Sequence, residues 1–592
     1  MENPLRRMRQ VKITGSLPKK SDIGLAITHF TKKEWLFFST LVVVLLISTL
    51  GILQIINKSF MVSVPMSGGS ISEGIVGAPR FINPVLANSM ADLDLTNLVY
   101  SGLMRKSDDG TLVPDLAAKY EMSPDGLTYT FTLKDNLSFQ DGQPLTVDDI
   151  IFTINAVKDP VIKSPRRASW DGISVEKTDD KTVVFTLKQP YASFLENATL
   201  GIMPMHTWSG SPIELNDANT NPIGSGPYQV GSVSKQSSGV INYYILDRFN
   251  KFSLGKPYIK NIDLYFYSNE DDLITALENG TISQISSITP ANAALLKAKG
   301  YRVETSVLPR VFGLFFNQNQ NQIFLDKNVV KAINLALDKD RIVREVLSGY
   351  GVTIDDPIPP NMIAYQRLTA DTETSQADEL KQAQDILTKD GWQMGTSGFL
   401  EKTKTDKKKK TTSTLEFSIS TGNAPELAKS AELISEDLAQ IGIKVEVKTF
   451  EVGNLNQSVI RPRKYDALLF GQIINHESDL YAFWHSSQRK DPGLNVAMYT
   501  NAKVDKILED AFVTIDEQAR IKKYAQFEDE IRKDMPAVFL YSPQFIYIVS
   551  KDLKNLSIDH ATVPADRFSN VYLWYTQVDS VWKIFAPQKE VS

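Results

Sequence analysis

Residues 123–149 read SPDGLTYTFTLKDNLSFQDGQPLTVDD. Asp125-Gly126 and Asp141-Gly142 are hairpin-closing pairs, because glycine accepts the positive φ that a tight turn demands. Between them Tyr129, Phe131 and Leu133 alternate with polar residues, which is strand period. Asp148-Asp149 then place carboxylates at the start of a helix. Working outward, the same grammar recurs. Val183, Phe185 and Leu187 alternate along TVVFTL, after a turn at Asp179-Asp180. Asp326 is the N-cap of a helix that carries Val329, Ile333, Ala336 and Leu337 on one face. Asp340 restarts the pattern with Ile342, Val343, Val346 and Leu347, and Gly349 stops it. Ala424 to Gln440 reads as a further helix, ended by Gly442 and running into Ile443, Val445 and Val447 at strand period. Short strands alternating with amphipathic helices specify an α/β protein with mixed sheets.

The chain has 592 residues, 42% hydrophobic and 22% charged, with a net charge of -5 and no cysteine. The length implies more than one core. The weak charge argues against a nucleic-acid partner. The absence of cysteine excludes disulfides, thiolate metal sites, a cysteine nucleophile and a lipid-modified N-terminal cysteine. No G-x-S-x-G elbow, P-loop or G-x-G-x-x-G is present. His476-Glu477 begins like a zinc-protease helix, but Leu480 stands where a second histidine is needed. Gly224-Ser225-Gly226-Pro227, followed by Tyr228 and Val230, reads as a turn into a strand rather than a phosphate loop. The basic run EKTKTDKKKKTT, residues 401–412, sits between strand-like segments and is expected at a solvated hairpin tip.

Leu36 to Ile56 is a run of 21 residues without a charge. At ~1.5 Å per residue it matches one hydrocarbon core of about 30 Å. Trp35 stands at one end, where indole prefers the interface. Arg6, Arg7, Arg9, Lys12, Lys19, Lys20, Lys32 and Lys33 precede the run, and only Lys58 closely follows it. The positive-inside rule places residues 1–34 in the cytoplasm and the rest outside. An uncleaved anchor is expected, since the apolar core is longer than a signal peptide's and no clean small-x-small site follows; a cleaved signal is the rival. Ser63 to Ser70, SVPMSGGS, reads as a linker.

Gly102-Leu103, Asp109-Gly110, Pro114-Asp115-Leu116-Ala117, the segment 123–129, Phe139-Gln140-Asp141-Gly142, Pro144-Leu145-Thr146 and Asp148-Asp149 follow one another in order. Later come Gly224-Ser225-Gly226-Pro227-Tyr228, Phe316-Asn317, Phe324-Leu325-Asp326, Val330-Lys331-Ala332-Ile333, Leu337-Asp338-Lys339, Gly391-Trp392, Tyr465-Asp466 and Asp534-Met535-Pro536. This series resembles the bacterial extracellular solute-binding proteins of family 5, the dipeptide- and oligopeptide-binding group of ABC transporters, over about residues 70–590.

The resemblance implies a bilobed, periplasmic-binding-protein-like clamshell of class II with an extra subdomain, behind one transmembrane helix. The expected division is a basic cytoplasmic tail at 1–34, an anchor at 35–57 and a linker at 58–70. Lobe one would be 71–100 with 222–325 and 560–592, its inserted subdomain 101–221, and lobe two 326–559. A peptide or other small solute would be enclosed on closure and delivered to an ABC permease and ATPase; no catalysis, metal or cofactor is implied. Carried onto this chain, the family pattern places Asn88, Ser89 and Met90 on the cleft from lobe one. Arg166 would reach it from the subdomain, and Gln472, Ile473 and Ile474 would offer backbone to a peptide. The amine-binding carboxylate would fall near His476, with Glu477 as candidate and Asp479 in reserve, and Arg166 would receive a ligand carboxylate. An anchored receptor or sensor remains an alternative, as does an importer component for a metal chelate or an oligosaccharide.

Overall fold

The computed structural model describes residues 28, 30–360, 362, 375–406 and 409–586. The tail expected over residues 1–34 lies outside the described residues up to 27 and again at His29. The chain divides into two compact units, Met1–Pro65 with Val578–Ser592, and Met66–Gln577.

In the first unit a 29-residue helix runs from Lys32 to Phe60, with no residue buried. Thr31 caps it reciprocally with Glu34, whose carboxylate accepts the Thr31 N–H at 2.8 Å. The helix is long and apolar enough to cross a membrane. It passes directly into the strand Met61–Met66, which pairs with Gln577–Trp582 in a two-stranded sheet. The linker expected over 58–70 is therefore helix and strand through Met66. Val62 and Val64 suit a strand, but the partner comes from the far end of the chain, beyond the reach of a local reading.

In the second unit the long strand Ala537–Val549 belongs to two sheet halves. Its first half pairs with Arg310–Phe316, with Phe315 opposite Ala537. Its second half pairs with Arg302–Val307, with Val307 opposite Gln544. On the lobe-two side the order continues through Ala467–Ile473, Glu416–Gly422 and Lys444–Phe450. On the lobe-one side it continues through Gln284–Ile285, Ser70–Val76, Asn261–Tyr267, Ile241–Arg248 and Tyr228–Lys235. Parallel and antiparallel pairs are mixed. A separate four-stranded antiparallel sheet, Ala117–Met122, Thr128–Leu133, Thr182–Leu187 and Ile173–Lys177, has its own core around Phe131, Phe185 and Trp170.

The long strand changes partners between Tyr541, opposite Phe312, and Gln544, opposite Val307, and the two chain crossings at this point carry Pro309 and Pro543. Two prolines there lack the N–H that a continuous ladder needs. The Leu308 N–H reaches the Pro543 carbonyl at 3.0 Å, so the two crossings touch. Elsewhere local signals match the fold. Lys327–Ala336 is a helix capped by Asp326, Pro425–Gln440 is a helix, and Leu400–Asp406 pairs with Lys409–Thr414, while the tip expected for the basic run, residues 407 and 408, lies outside the described residues. Asp338 caps the helix Lys339–Val346, and Asp340 lies in its first turn.

The recurrent motifs are architectural. Gly126 has φ +67°, and the Asp125 carboxylate accepts the Leu127 N–H at 3.1 Å to close its turn. Gly226 presses on the Val99 backbone so closely that a Cβ would stand 2.6 Å from the Val99 carbonyl carbon. The Gln140 side chain bridges this contact, accepting from Gly224 N–H at 2.9 Å and donating to the Tyr228 carbonyl at 2.8 Å.

Candidate functional site

The base of the site is built on the helix Met90–Val99 and the short turn Pro564–Phe568. Beneath them Arg567 is wholly buried and fully engaged. Its two Nη groups donate to the two Asp94 oxygens at 2.7 Å each, and Nη2 also reaches Glu73 Oε1 at 2.6 Å. The Tyr547 hydroxyl donates to Glu73 Oε2 at 2.7 Å. Burial pulls the Arg567 guanidinium down, but Asp94 and Glu73 outweigh it and raise the net value. Burial pushes Glu73 up, and Arg567 opposes it. Multiple hydrogen bonds are what make buried ions tolerable.

Above this base lies a cavity of about 320 Å³. Three stretches far apart in the chain line it: Thr562, Val563, Asp566 and Phe568; Arg105, Lys106, Arg166, Trp170 and Glu196; and Asn475 with His476. The cations Arg105, Lys106 and Arg166 thus share one lining with the carboxylates of Asp115, Glu196 and Asp566.

These groups differ in how fully the protein satisfies them. Arg105 lies 5.5 Å over the Tyr572 ring and donates to its hydroxyl at 3.1 Å. Lys106 donates to Thr562 Oγ1 at 2.7 Å and stands 3.5 Å from Asp566. Asp566 accepts from the Thr562 N–H at 2.9 Å and the Val563 N–H at 3.2 Å. Burial raises Asp115, with Ser253 and Ser101 opposing by hydrogen bonds. Arg166 donates through Nε to the Pro84 carbonyl at 3.1 Å and makes no ion pair among the described residues. Much of its surface is open to the cavity, yet the surrounding protein desolvates the guanidinium and lowers it, with Asp566 opposing.

Beside the cavity, residues 191–196 touch residues 476–512. Glu196 Oε2 lies against His476 Nδ1, Ser193 and Ser478 hydroxyls stand 3.4 Å apart, and Tyr191 stacks on Phe512 at 5.3 Å. Burial, then Lys106 and Arg166, press the His476 imidazolium down to about 4, against Asp566. A neutral ring keeps one nitrogen as an acceptor.

Of the residues expected at the site, the structure brings Arg166 and His476 to the cavity wall. Ser89 instead caps its helix, accepting the Asp92 N–H at 3.1 Å, and neither it, Asn88 nor Met90 lines the cavity. The same helix reaches the cavity further on, through Leu93, Thr96 and Asn97. Gln472 and Ile473 pair with Val311 and Arg310, and the Ile474 N–H reaches the Pro309 carbonyl at 2.8 Å, so one backbone edge of this segment is already engaged. Glu477 stands away from the cavity. Its carboxylate accepts from Arg520 Nε at 2.9 Å, with both side chains nearly buried, and it lies outside the lining. Asp479 accepts the Asn475 and His476 N–H groups at 2.9 and 3.1 Å. Arg105, Lys106, Glu196 and Asp566 went unread. The first two follow Gly102-Leu103 as a bare basic pair, and nothing near Glu196 or Asp566 distinguishes them from surface carboxylates.

The model of the family described as bacterial extracellular solute-binding proteins, family 5 middle, matches residues 111–492. The oligopeptide-binding protein AppA of Bacillus subtilis is 29% identical over 489 residues, covering 81% of this chain and 87% of that protein. The structure of AppA with a nonapeptide superposes with a TM-score of 0.63 at 27% identity, over 87% of this chain and all of AppA. The structure of NikZ from Campylobacter jejuni with Ni(L-His) gives 0.65 at 26% identity, over 86% of this chain and 99% of NikZ.

Proposed function

The chain belongs to the bacterial extracellular solute-binding proteins of family 5, and on that premise we propose that it captures a short, zwitterionic, peptide-like solute for an ABC permease and ATPase. The helix Lys32–Phe60 would hold it to the cell membrane in a single pass, with residues 1–34 cytoplasmic and the binding unit outside. The observation that carries this reading is the cavity itself. Segments far apart in the chain line it, and cations and carboxylates share that lining. Such a lining suits a ligand with one charge of each sign, because each buried ligand charge needs a partner. About 320 Å³ lies at the lower end of small-ligand sites, which favours a short ligand. Arg166, the cation with the fewest protein partners, is assigned to the ligand carboxylate, where its planar fork binds in bidentate fashion. Glu196 takes the place intended for Glu477 as partner of the amine. Glu196 and His476 come from opposite sides, so ligand and closure are coupled. The role is capture and release, without chemistry.

The test is thermal unfolding of the full chain in detergent with a panel of di- to pentapeptides, free, N-acetylated and amidated. At 100 times its Kd a ligand stabilises by about 2.7 kcal/mol. Free peptides are expected to stabilise, and amidated ones to fail. Indifference to every free peptide overturns the peptide reading.

His476 favours a second reading, a metal chelate, because a neutral imidazole on the cavity wall is a competent metal ligand. Stabilisation by nickel with free histidine, lost in His476→Ala, would select this reading over the peptide.

A further inference from the structure

We propose that the C-terminal segment Trp582–Phe585 is a second membrane contact, seated in the outer-leaflet interface of a phospholipid bilayer beside the end of the helix Lys32–Phe60. This rests on reading that helix as a membrane span. The first observation is depth. Asn57 is the first residue after the uncharged run Leu36–Ile56, so it marks the boundary of the hydrocarbon. The Trp582 indole N–H donates to Asn57 Oδ1 at 2.7 Å. That bond holds an indole, brought from the other end of the chain, with its N–H satisfied at the level where tryptophan is most favourable.

The second observation is exposure. Ile584 and Phe585, in the turn after Trp582, are 77% and 73% exposed, and Phe60 on the helix end is 60% exposed. A soluble surface seldom leaves large apolar groups so bare and so close together. Here they continue the apolar surface of the span. The third observation is the tie between them. The strand after the helix pairs with the strand leading to Trp582, so the segment is held at the helix end by a sheet. Trp35, packed on Phe30 and Phe38 at 6.4 and 6.0 Å, forms the aromatic girdle at the other end. The outer girdle is then Phe60 with Trp582 and Phe585.

The chain has no cysteine, so single cysteines each report one position. The full chain is reconstituted into vesicles of phosphatidylcholine with a minor fraction of phosphatidylglycerol. Ile584→Cys, Phe585→Cys, Leu46→Cys and Val240→Cys are each labelled with an environment-sensitive fluorophore. The acyl chains carry bromine either near the glycerol or near the bilayer centre. The expected result is quenching at Ile584→Cys and Phe585→Cys chiefly by shallow bromine, at Leu46→Cys chiefly by deep bromine, and at Val240→Cys by neither. If Ile584→Cys and Phe585→Cys behave like Val240→Cys while Leu46→Cys is quenched, the second contact is refuted and the span stands. A blue-shifted label at Ile584→Cys without lipid quenching means that protein covers the segment, and also refutes it. If Leu46→Cys is not quenched, the span fails and this contact with it.

Discussion

Two groups of charges lie against the turn Pro564–Phe568, and they differ in completeness. Inward, Arg567, Glu73 and Asp94 are sealed from solvent, and every ionic contact is short and protein-made. Outward, Arg105, Lys106, Arg166, Asp115, Glu196 and Asp566 surround open volume, and Arg166 has no carboxylate within ion-pair distance among the described residues. The inward group is finished by folding. The outward group is the one that the proposed ligand would complete. Incomplete pairing in an enclosed place, rather than charge itself, separates a binding surface from a structural one.

The contrast is broken most forcefully from the inside. Arg567→Ala leaves Glu73 and Asp94 buried without their cation, and is expected to destabilise the binding unit by about 3–5 kcal/mol. Denaturant unfolding of the full chain reads this, and an unchanged midpoint would mean that the cluster is not structural. Arg166→Ala has the opposite profile. It is expected to weaken binding of free-carboxylate peptides by about 2–5 kcal/mol, with the unfolding midpoint of the unliganded protein nearly unchanged. Calorimetric titration with free and amidated peptides separates the two, since only the free ones lose affinity.

Glu528 sharpens the comparison from a third position, because it is buried and, among the described residues, neither of its oxygens has a hydrogen-bond partner, Arg532 Nη2 standing 3.5 Å off. Burial, then Asp356, raise its carboxyl from 4.5 to about 8, against Arg532. The folded state therefore keeps a proton that the unfolded chain releases. The associated stability is present below pH 4.5 and is lost as pH rises toward about 8. Glu528→Gln is expected to flatten that loss and to gain about 1–3 kcal/mol at pH 8. Parallel unfolding curves for the two proteins across this range would refute it. The smallest effect belongs to the closing contacts. Tyr191→Ala removes the stack on Phe512 and is expected to weaken closure by about 0.5–1.5 kcal/mol. It would be seen as a larger mean radius of gyration at unchanged stability.

The sequence was most legible where structure is local. Tyr129, Phe131 and Leu133 declare their strand, Asp326 its helix, and the ordered turns declare the family and its α/β architecture. Leu36–Ile56 is legible by length and lack of charge alone as a segment long and apolar enough to cross a membrane. Arg166 and His476 were reached through the family pattern, and both stand at the cavity.

Tertiary structure decided what each charge is for. Glu477 and Glu196 are both single carboxylates on short polar segments, and nothing beside them distinguishes one from the other. Arg520 arrives against Glu477 and engages it, while Glu196 meets His476 across the closing cleft. The role of a charge depends on what lies within about 4 Å of it and on the surrounding dielectric, and distant segments set both. The same holds for Met61–Met66, which composition reads as a linker and Gln577–Trp582 makes a strand. Periodicity and turn chemistry belong to neighbouring residues, so one chain suffices to read them. Pairing belongs to residues that meet only once the chain has folded.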